Sequence, residues 1–268
     1  MHKAGKELRK LASTTDAVVE VLDARIPAAS SNPLLKEIFK GKPTLKLLNK
    51  CDLAETGATS TWQAYFNASD STRSLTLSQD KQSISKAILA ALAALTDNTR
   101  PATAKRWQAV IFGVPNVGKS TILNAIAGRK LARTGNEPAV TKGQQRIKLN
   151  EDWTLIDTPG MLWPKLEDQQ GALWLAMIGS IRHTALDVEE IGWMAAETLK
   201  QVAPALLKAR YGLEVLPEQT EQLVAAIAHA TGSLTKGGLI DGDKVAQALL
   251  NDFRSGKLGA LTLESIPP

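Results

Sequence analysis

The sequence contains one cysteine and no long apolar run. Cys51 alone cannot form an internal disulfide, and a single thiol excludes a metal site built from several cysteines. The longest apolar run, ILAALAAL at residues 88–95, is far shorter than the roughly 20 residues of a membrane-spanning helix. The charged N-terminus is followed by no apolar signal-peptide core. We therefore expect a soluble, cytoplasmic protein with no membrane partner. A monomer is the expected oligomeric state, although no sequence feature determines it.

Acidic residues are scarce in one part of the chain and basic residues in the other. The net charge is +5, yet residues 1–165 carry 24 Lys and Arg against 14 Asp and Glu, whereas residues 166–268 carry 8 against 13. The first part would therefore face a nucleic acid, if one binds. A solvated surface of mixed charge is the alternative interpretation.

With 268 residues, 44% of them hydrophobic, the chain can bury a sizeable core. Up to residue 165, strand and helix patterns alternate, which is typical of a mostly parallel sheet covered by helices on both faces. After Pro164 the strand pattern fades, and four stretches with helical periodicity follow. We predict an α/β domain at residues 1–165 and an all-helical domain at residues 166–268.

The stretch GVPNVGKST, residues 113–121, has the spacing of a phosphate-binding loop. Glycines allow backbone N–H groups to surround a β-phosphate, Lys119 can reach the β- and γ-phosphate oxygens, and Ser120 can bind Mg²⁺. The alternative, a glycine-rich turn, is disfavoured because an apolar strand pattern precedes the loop and an apolar helix pattern follows it. The predicted nucleotide contacts here are Asn116, Val117, Gly118, Lys119, Ser120 and Thr121.

Two later segments complete the predicted phosphate site. In DTPG, Asp157 would hold the Mg²⁺ shell and the Gly160 N–H would meet the γ-phosphate. Thr141, in EPAVTKGQQ, is the best candidate to close over the γ-phosphate and Mg²⁺, and a helix-capping or loop threonine is the alternative interpretation. The residues predicted to act in hydrolysis are Asn116, Lys119, Thr141 and Gly160, and those predicted to bind the metal are Ser120, Thr141 and Asp157.

The stretch LLNKCDL, residues 47–53, resembles a guanine-recognition loop. Asp52 can accept hydrogen bonds from guanine N1–H and N2–H₂, which adenine does not supply. Asn49 would reach the other base edge, and the stem of Lys50 would lie along the ring. Ser78, in LTLSQD, would let a backbone N–H approach guanine O6. A polar turn would explain NKCD in isolation, but beside a phosphate loop it predicts GTP and GDP as ligands.

The order of these motifs is unusual, because in most GTP-binding proteins the base loop follows the phosphate loop. Here it precedes that loop, and a polar linker at residues 96–106 connects the two parts. The order therefore predicts a circularly permuted P-loop GTPase domain, which a sheet tolerates because domain termini lie on the surface, often close together. The segment after DTPG then leads through residues 161–168 directly into the helical domain.

The motifs in this order resemble the circularly permuted ribosome biogenesis GTPase A (YlqF-type) family. The resemblance covers nearly the whole chain and rests on VLDARIPAASSNP, LLNKCDL, GVPNVGKST, PAVTKGQQ, LIDTPGMLWPK and LLNDFRSGKLG. It implies a GTP-hydrolysing factor in assembly of the large (50S) ribosomal subunit, with that subunit and its rRNA as partners. It also brings Asp23 and Arg25 near the nucleotide face, where a direct role and a loop ion pair remain open.

Two departures from GTPase patterns bear on hydrolysis. Met161 stands where many small GTPases have a water-orienting glutamine, and the histidine of the family's PGHM start has no counterpart here, since Met1 matches the methionine. We expect slow intrinsic hydrolysis stimulated by ribosomes, and a truncated chain or a late start-codon assignment. Asn116 matches the asparagine with which related enzymes bind a monovalent cation, so K⁺ is a candidate cofactor. The alternative function is a nucleotide-gated RNA- or ribosome-binding module with negligible hydrolysis.

Overall fold

The computed structural model describes residues 2–77, 84–96, 106–127, 145–163, 168–181 and 187–267. The chain divides into two compact units, one of residues 1–165 with 264–268 and one of residues 166–263. The sequence pattern predicts residues 264–268 as part of the helical domain, whereas their contacts group them with the first unit. Within the described ranges, no helix is long and apolar enough to cross a membrane.

The first unit is built on a six-stranded sheet with the order β3-β2-β1-β4-β6-β5. Neighbouring strands are parallel except for β5 and β6, which form an antiparallel pair. This confirms the predicted mostly parallel α/β sheet. The strands are β1 (Ala17–Asp23), β2 (Thr44–Asn49), β3 (Thr72–Leu77), β4 (Trp107–Phe112), β5 (Gln145–Lys148) and β6 (Trp153–Asp157).

The burial of each strand follows from its place in the sheet. All seven residues of β1 are buried, as expected for a central parallel strand covered on both faces. Glu20 and Asp23 are the charged residues of that strand, and the Glu20 carboxylate pairs with Lys46 of β2. At the edge of the sheet, β5 buries only Ile147 and exposes its other three residues.

The strand order brings the sequence motifs to one edge of the sheet. From β1 the chain proceeds outward to β2 and β3, whereas after β4 it passes to the edge strand β5 on the other side and returns to β6, which lies beside β4. The order therefore reverses between β1 and β4, and ligands of open α/β sheets bind at the carboxyl ends of strands beside such a reversal. Asp23, Asn49 and Asp157 end β1, β2 and β6, and Gly113 follows β4.

Helices cover this sheet, and α1 and α2 contribute to an apolar cluster on it. Leu8, Leu11 and Phe39 pack there with residues of β1, β4 and β6, and the rings of Phe39 and Phe112 stack with centroids 5.8 Å apart. Most of the predicted linker, at 97–105, lies outside the described residues. The helices of this unit are α1 (His2–Ser13), α2 (Pro33–Ile38), α3 (Thr56–Asn67), α4 (Ile84–Thr96) and α5 (Lys119–Ala127), with a short 3-10 turn at Cys51–Leu53.

The described part of the second unit is helical apart from an isolated bridge between Leu234 and Ile240. The long periodic stretch at residues 188–212 forms two helices, because Pro204 has no N–H to continue the first and Ala203 leaves the helical conformation. The helices are α6 (Gln169–Met177), α7 (Val188–Val202), α8 (Pro204–Tyr211), α9 (Thr220–Thr231) and α10 (Gly242–Ser255).

The DFRSGKLG segment has a structural role in this unit. The Arg254 guanidinium donates to the carbonyl oxygens of Met177 and Ala176 at the end of α6, at 2.6 and 2.9 Å. The buried Asp252 carboxylate lies 2.9 Å from Arg210 Nε and accepts a bond from the Tyr211 hydroxyl at 3.3 Å. The segment therefore ties α6 and α8 to α10.

Candidate nucleotide-binding site

The phosphate loop connects β4 to α5, and two of its glycines are required by their surroundings. A Cβ on Gly113 would lie 2.8 Å from the Val21 carbonyl oxygen and 2.9 Å from Val117 Cγ2. Gly118 has φ +96°, which side-chain-bearing residues rarely adopt, and a Cβ there would collide with the Asn49 amide. Because α5 begins at Lys119, the positive end of the helix dipole lies at the loop, which favours an anion.

Lys119 and Asp157 form a buried ion pair between the phosphate loop and the end of β6. The Lys119 ammonium group bonds to Asp157 Oδ1. Burial raises the pKa of Asp157 although Lys119 opposes the shift. The other oxygen, Oδ2, is buried and has no hydrogen-bond partner among the described residues. A carboxylate with one uncommitted oxygen, paired with the lysine that precedes the half-buried Ser120 in the chain, fits a Mg²⁺ site of the predicted kind.

Thr158 fixes the DTPG segment to the neighbouring strand, a role that the sequence analysis missed. Its hydroxyl and its backbone N–H both donate to the Ile111 carbonyl oxygen, at 3.0 and 3.2 Å. Two residues later, a Cβ on Gly160 would lie 3.6 Å from the Gly113 carbonyl oxygen and from Pro115. Gly160 therefore lies beside the phosphate loop, where its N–H was predicted to meet the γ-phosphate.

The base loop is bonded directly to the phosphate loop. The Asn49 side-chain amide donates to the Val117 carbonyl oxygen at 2.6 Å, and the Lys50 ammonium donates to the Asn116 carbonyl oxygen at 2.7 Å. Lys50 has φ 59° and turns the chain into the 3-10 turn that carries the exposed Asp52. Asn49 and Lys50, which we expected at the base, thus also hold the two loops together.

Asp23 anchors this arrangement from β1. Its buried carboxylate accepts from Arg25 Nε at 2.9 Å and Nη2 at 2.8 Å, and from Lys50 Nζ at 3.0 Å. Burial alone would raise the pKa of Asp23, but the Lys50 and Arg25 charges hold it well below its usual range. The loop ion pair that the sequence left open is therefore present, and it includes a residue of the base loop.

The remaining predicted residues have simpler surroundings. Val117 is fully buried, and Thr121 is exposed in the first turn of α5. Ser78 and Thr141 lie outside the described residues, as do the basic residues close to Thr141 in the sequence, Arg129, Lys130, Arg133 and Lys142. The described part of the site thus contains the phosphate loop, DTPG and NKCD in one group.

Comparisons with known proteins agree with this site. A family model described as 50S ribosome-binding GTPase matches residues 108–208. Ribosome biogenesis GTPase A of Bacillus pumilus is 38% identical over 270 residues, which cover 98% of this chain and 95% of that protein. GNP-bound YlqF from T. maritima matches with a TM-score of 0.73 and 26% identity over 98% of this chain and 97% of its own. GDP-bound TM YlqF matches with a TM-score of 0.72 and 27% identity over 96% of this chain and 98% of its own. The chain therefore belongs to the ribosome biogenesis GTPase A family and is a circularly permuted GTPase that binds GTP and GDP.

Proposed function

We propose that this GTPase acts in ribosome biogenesis by binding the large (50S) ribosomal subunit and its rRNA, more tightly with GTP than with GDP. The observation that carries the proposal is the family membership. Proteins named ribosome biogenesis GTPase A match nearly the full length of the chain, and the description of the matching family model names 50S binding. The excess of basic residues in positions 1–165 supports a polyanionic partner.

The edge strand β5 is the candidate RNA contact. Arg146 and Lys148 are exposed on one side of the strand, and Ile147 is buried on the other. In the hairpin with β6, Gln145 lies opposite Asp157, so this basic strand begins beside the phosphate site. A change at the phosphates would therefore occur next to the residues proposed to contact RNA.

We assign the site residues to the nucleotide as follows. Asp52 reads guanine with the help of Ser78, and Asn49 and Lys50 hold that loop against the phosphate loop. Lys119 exchanges part of its pairing with Asp157 for the phosphate oxygens. Ser120, Thr141 and Asp157 would hold Mg²⁺, which neutralises phosphate charge when bound.

Intrinsic hydrolysis is slow in this proposal. Met161, which follows Gly160, is half-buried against the apolar cluster formed by α1, α2 and the sheet, and its thioether cannot orient a water as a glutamine does. Asn116 has φ 65° and is the candidate ligand for K⁺, which would add positive charge at the phosphates. Docking on the ribosomal particle would position Thr141 and Gly160 at the γ-phosphate and so raise turnover.

Sedimentation of 50S particles tests the proposal. The protein is mixed with particles at constant Mg²⁺ in the presence of GDP or a non-hydrolysable GTP analogue, and the pelleted fraction is measured over a salt series. We expect more protein in the pellet with the analogue, and phosphate release that rises when particles are added. Equal pelleting in both nucleotide states would contradict the proposed gating.

A further inference from the structure

The end of the chain returns to the nucleotide-binding unit and is tied down there. We call residues 264–267 the C-terminal tail. The Glu264 carboxylate accepts from the backbone N–H groups of Ala28 and Ala29, at 2.6 and 2.8 Å. Chain ends are usually poorly ordered unless specific contacts hold them. A buried carboxylate also requires hydrogen bonds to offset its lost hydration, and these two N–H groups provide them.

A second set of contacts places the tail behind the base loop. The Trp62 indole N–H donates to the Glu264 carbonyl oxygen at 3.2 Å. Trp62 is buried in an apolar cluster against which Ile266 and Cys51 also pack. Two other members of that cluster, Ala24 and Leu48, follow Asp23 and precede Asn49 in the chain. The tail therefore supports the ends of both β1 and β2.

The loop that Glu264 binds is the one that leaves Asp23. This β1–α2 loop, residues 24–32, is closed on itself because the Ser30 hydroxyl accepts from the Asp23 N–H at 3.1 Å and donates to the Ile26 carbonyl oxygen at 2.6 Å. Asp23 in turn binds Lys50, and Lys50 binds the phosphate-loop carbonyl of Asn116. An unbroken series of contacts thus runs from Glu264 to both nucleotide loops.

We propose that Glu264 is a positioning residue for the base loop and that the C-terminal tail thereby sets nucleotide affinity. The inference rests on the proposed function, since it takes residues 49–52 as the guanine-reading loop. The tail also gives the helical unit a second covalent connection to the nucleotide-binding unit. One connection follows DTPG near residue 165, and the other enters the tail at Glu264.

The test compares two full-length variants that lose one carboxylate each. Glu264→Gln keeps the size of the side chain, but only its carbonyl oxygen can accept, so its NH₂ group leaves one of the two N–H groups without an acceptor. Glu214→Gln, at an exposed position of the helical unit, is the matched control. Binding and release of a fluorescent N-methylanthraniloyl-GDP are measured for each, together with KM and kcat for GTP and the melting temperature without nucleotide.

We expect Glu264→Gln to bind the fluorescent GDP roughly 3- to 10-fold more weakly, the net scale of one ordinary hydrogen bond, mainly through faster release. KM for GTP should rise by a similar factor with kcat unchanged, because a weaker base loop affects ground state and transition state equally. Glu214→Gln should match the parent. A Glu264→Gln protein that melts lower but binds and releases GDP like the parent would overturn the positioning role.

A second variant keeps the test decisive if Glu264→Gln folds poorly. Trp62→Phe removes the N–H donor to the tail and leaves an aromatic ring in the cluster. We therefore expect weaker binding and faster release of the fluorescent GDP, by a smaller factor than in Glu264→Gln. Parent-like GDP release in this variant would also overturn the inference. The guanine loop itself is tested separately, because a parent protein that binds ATP as tightly as GTP would overturn the assignment of residues 49–52 and the tail role with it.

Discussion

Asp23 holds the base loop to the end of β1 through its buried ion pairs with Arg25 and Lys50. Replacing it with Asn would leave Arg25 and Lys50 without their anion, and removal of one partner from a buried pair costs about 3 kcal/mol of unfolding free energy. Urea unfolding of Asp23→Asn measures this loss, and Asp70→Asn, at an exposed position, is the control. Equal losses in the two variants would show that the buried network contributes nothing specific.

The buried Asp23 carboxylate also predicts how the stability of the protein depends on pH. Because the pKa of Asp23 is lowered on folding, its stabilising contribution is fully present above the unfolded value of about 3.9 and is lost as the pH falls below it. The stability difference between the parent and Asp23→Asn should therefore be constant from neutral pH to about pH 5 and shrink in stronger acid. A difference that already shrinks between pH 7 and pH 5 would contradict the assignment of a fully charged carboxylate.

Asp52 determines base choice in our assignment, and its exposed position makes the substitution structurally mild. Asp52→Asn should weaken GTP binding by about 1.5–3 kcal/mol and shift preference toward xanthosine nucleotides. Competition binding with GTP, XTP and ATP measures both effects. The melting temperature should stay near that of the parent, and an unchanged base preference would refute the role.

The potassium proposal is tested at Asn116. Its φ of 65° favours Asn or Gly, so Asn116→Gly removes the side chain without straining the backbone. Asn116→Ala would remove the amide and also strain the backbone. We expect the parent to hydrolyse GTP faster in KCl than in NaCl and the Gly variant to show equal rates. Equal rates already in the parent would exclude potassium from the mechanism.

Among the elements, α2 has a link to the segment after DTPG. The Asn32 side-chain oxygen caps α2 by accepting from the N–H groups of Leu34 and Leu35, and its amide donates to the Met161 carbonyl oxygen at 2.9 Å. If Gly160 turns toward a γ-phosphate, the adjoining Met161 carbonyl has to follow. The Asn32 bond therefore restrains the segment that the nucleotide is proposed to move.

Two substitutions separate these functions of Asn32. Asn32→Ser retains a capping oxygen but is too short to reach Met161. Asn32→Ala loses the cap as well as the bond to Met161, so it should be about 1 kcal/mol less stable than Asn32→Ser. Both variants should show faster hydrogen exchange at residues 160–163 than the parent, measured in the same nucleotide state. Unchanged exchange in both would mean that the segment is held by the packing of Met161 alone.

The strands and the phosphate loop could be predicted from sequence because their signals are local. β1 and β4 are runs of apolar and β-branched residues, and the glycine spacing of residues 113–121 is read without tertiary information. The contact of Lys50 with Asp23 could not be predicted, because it depends on a left-handed backbone at Lys50. The return of the tail to the first unit could not be predicted, because its partners Ala28 and Trp62 lie more than two hundred residues away in the sequence.

At the scale of the whole molecule, the unequal distribution of charge predicts how the protein meets the ribosome. The basic surplus lies in the part of the chain that binds nucleotide. Among the described residues near the phosphate site, the exposed Arg146 and Lys148 on β5 belong to this surplus. Contacts with RNA phosphates release counterions, so affinity for 50S particles should fall steeply with salt. The acidic second unit should contribute little to this dependence.

A pair of double variants tests this distribution. Replacing both Arg146 and Lys148 with Gln should weaken binding to 50S particles. The plot of log affinity against log salt should also become less steep, its negative slope shrinking in magnitude by about 1.5, the value for two lost phosphate contacts. GTP affinity should be spared, because both side chains point away from the sheet core at the exposed edge. Replacing the exposed Lys236 and Lys244 of the helical unit with Gln changes the net charge equally, and this control should bind particles like the parent. Equal losses in the two double variants would show that net charge alone governs association, and a parent-like Arg146 and Lys148 variant would place the RNA contact elsewhere on the molecule.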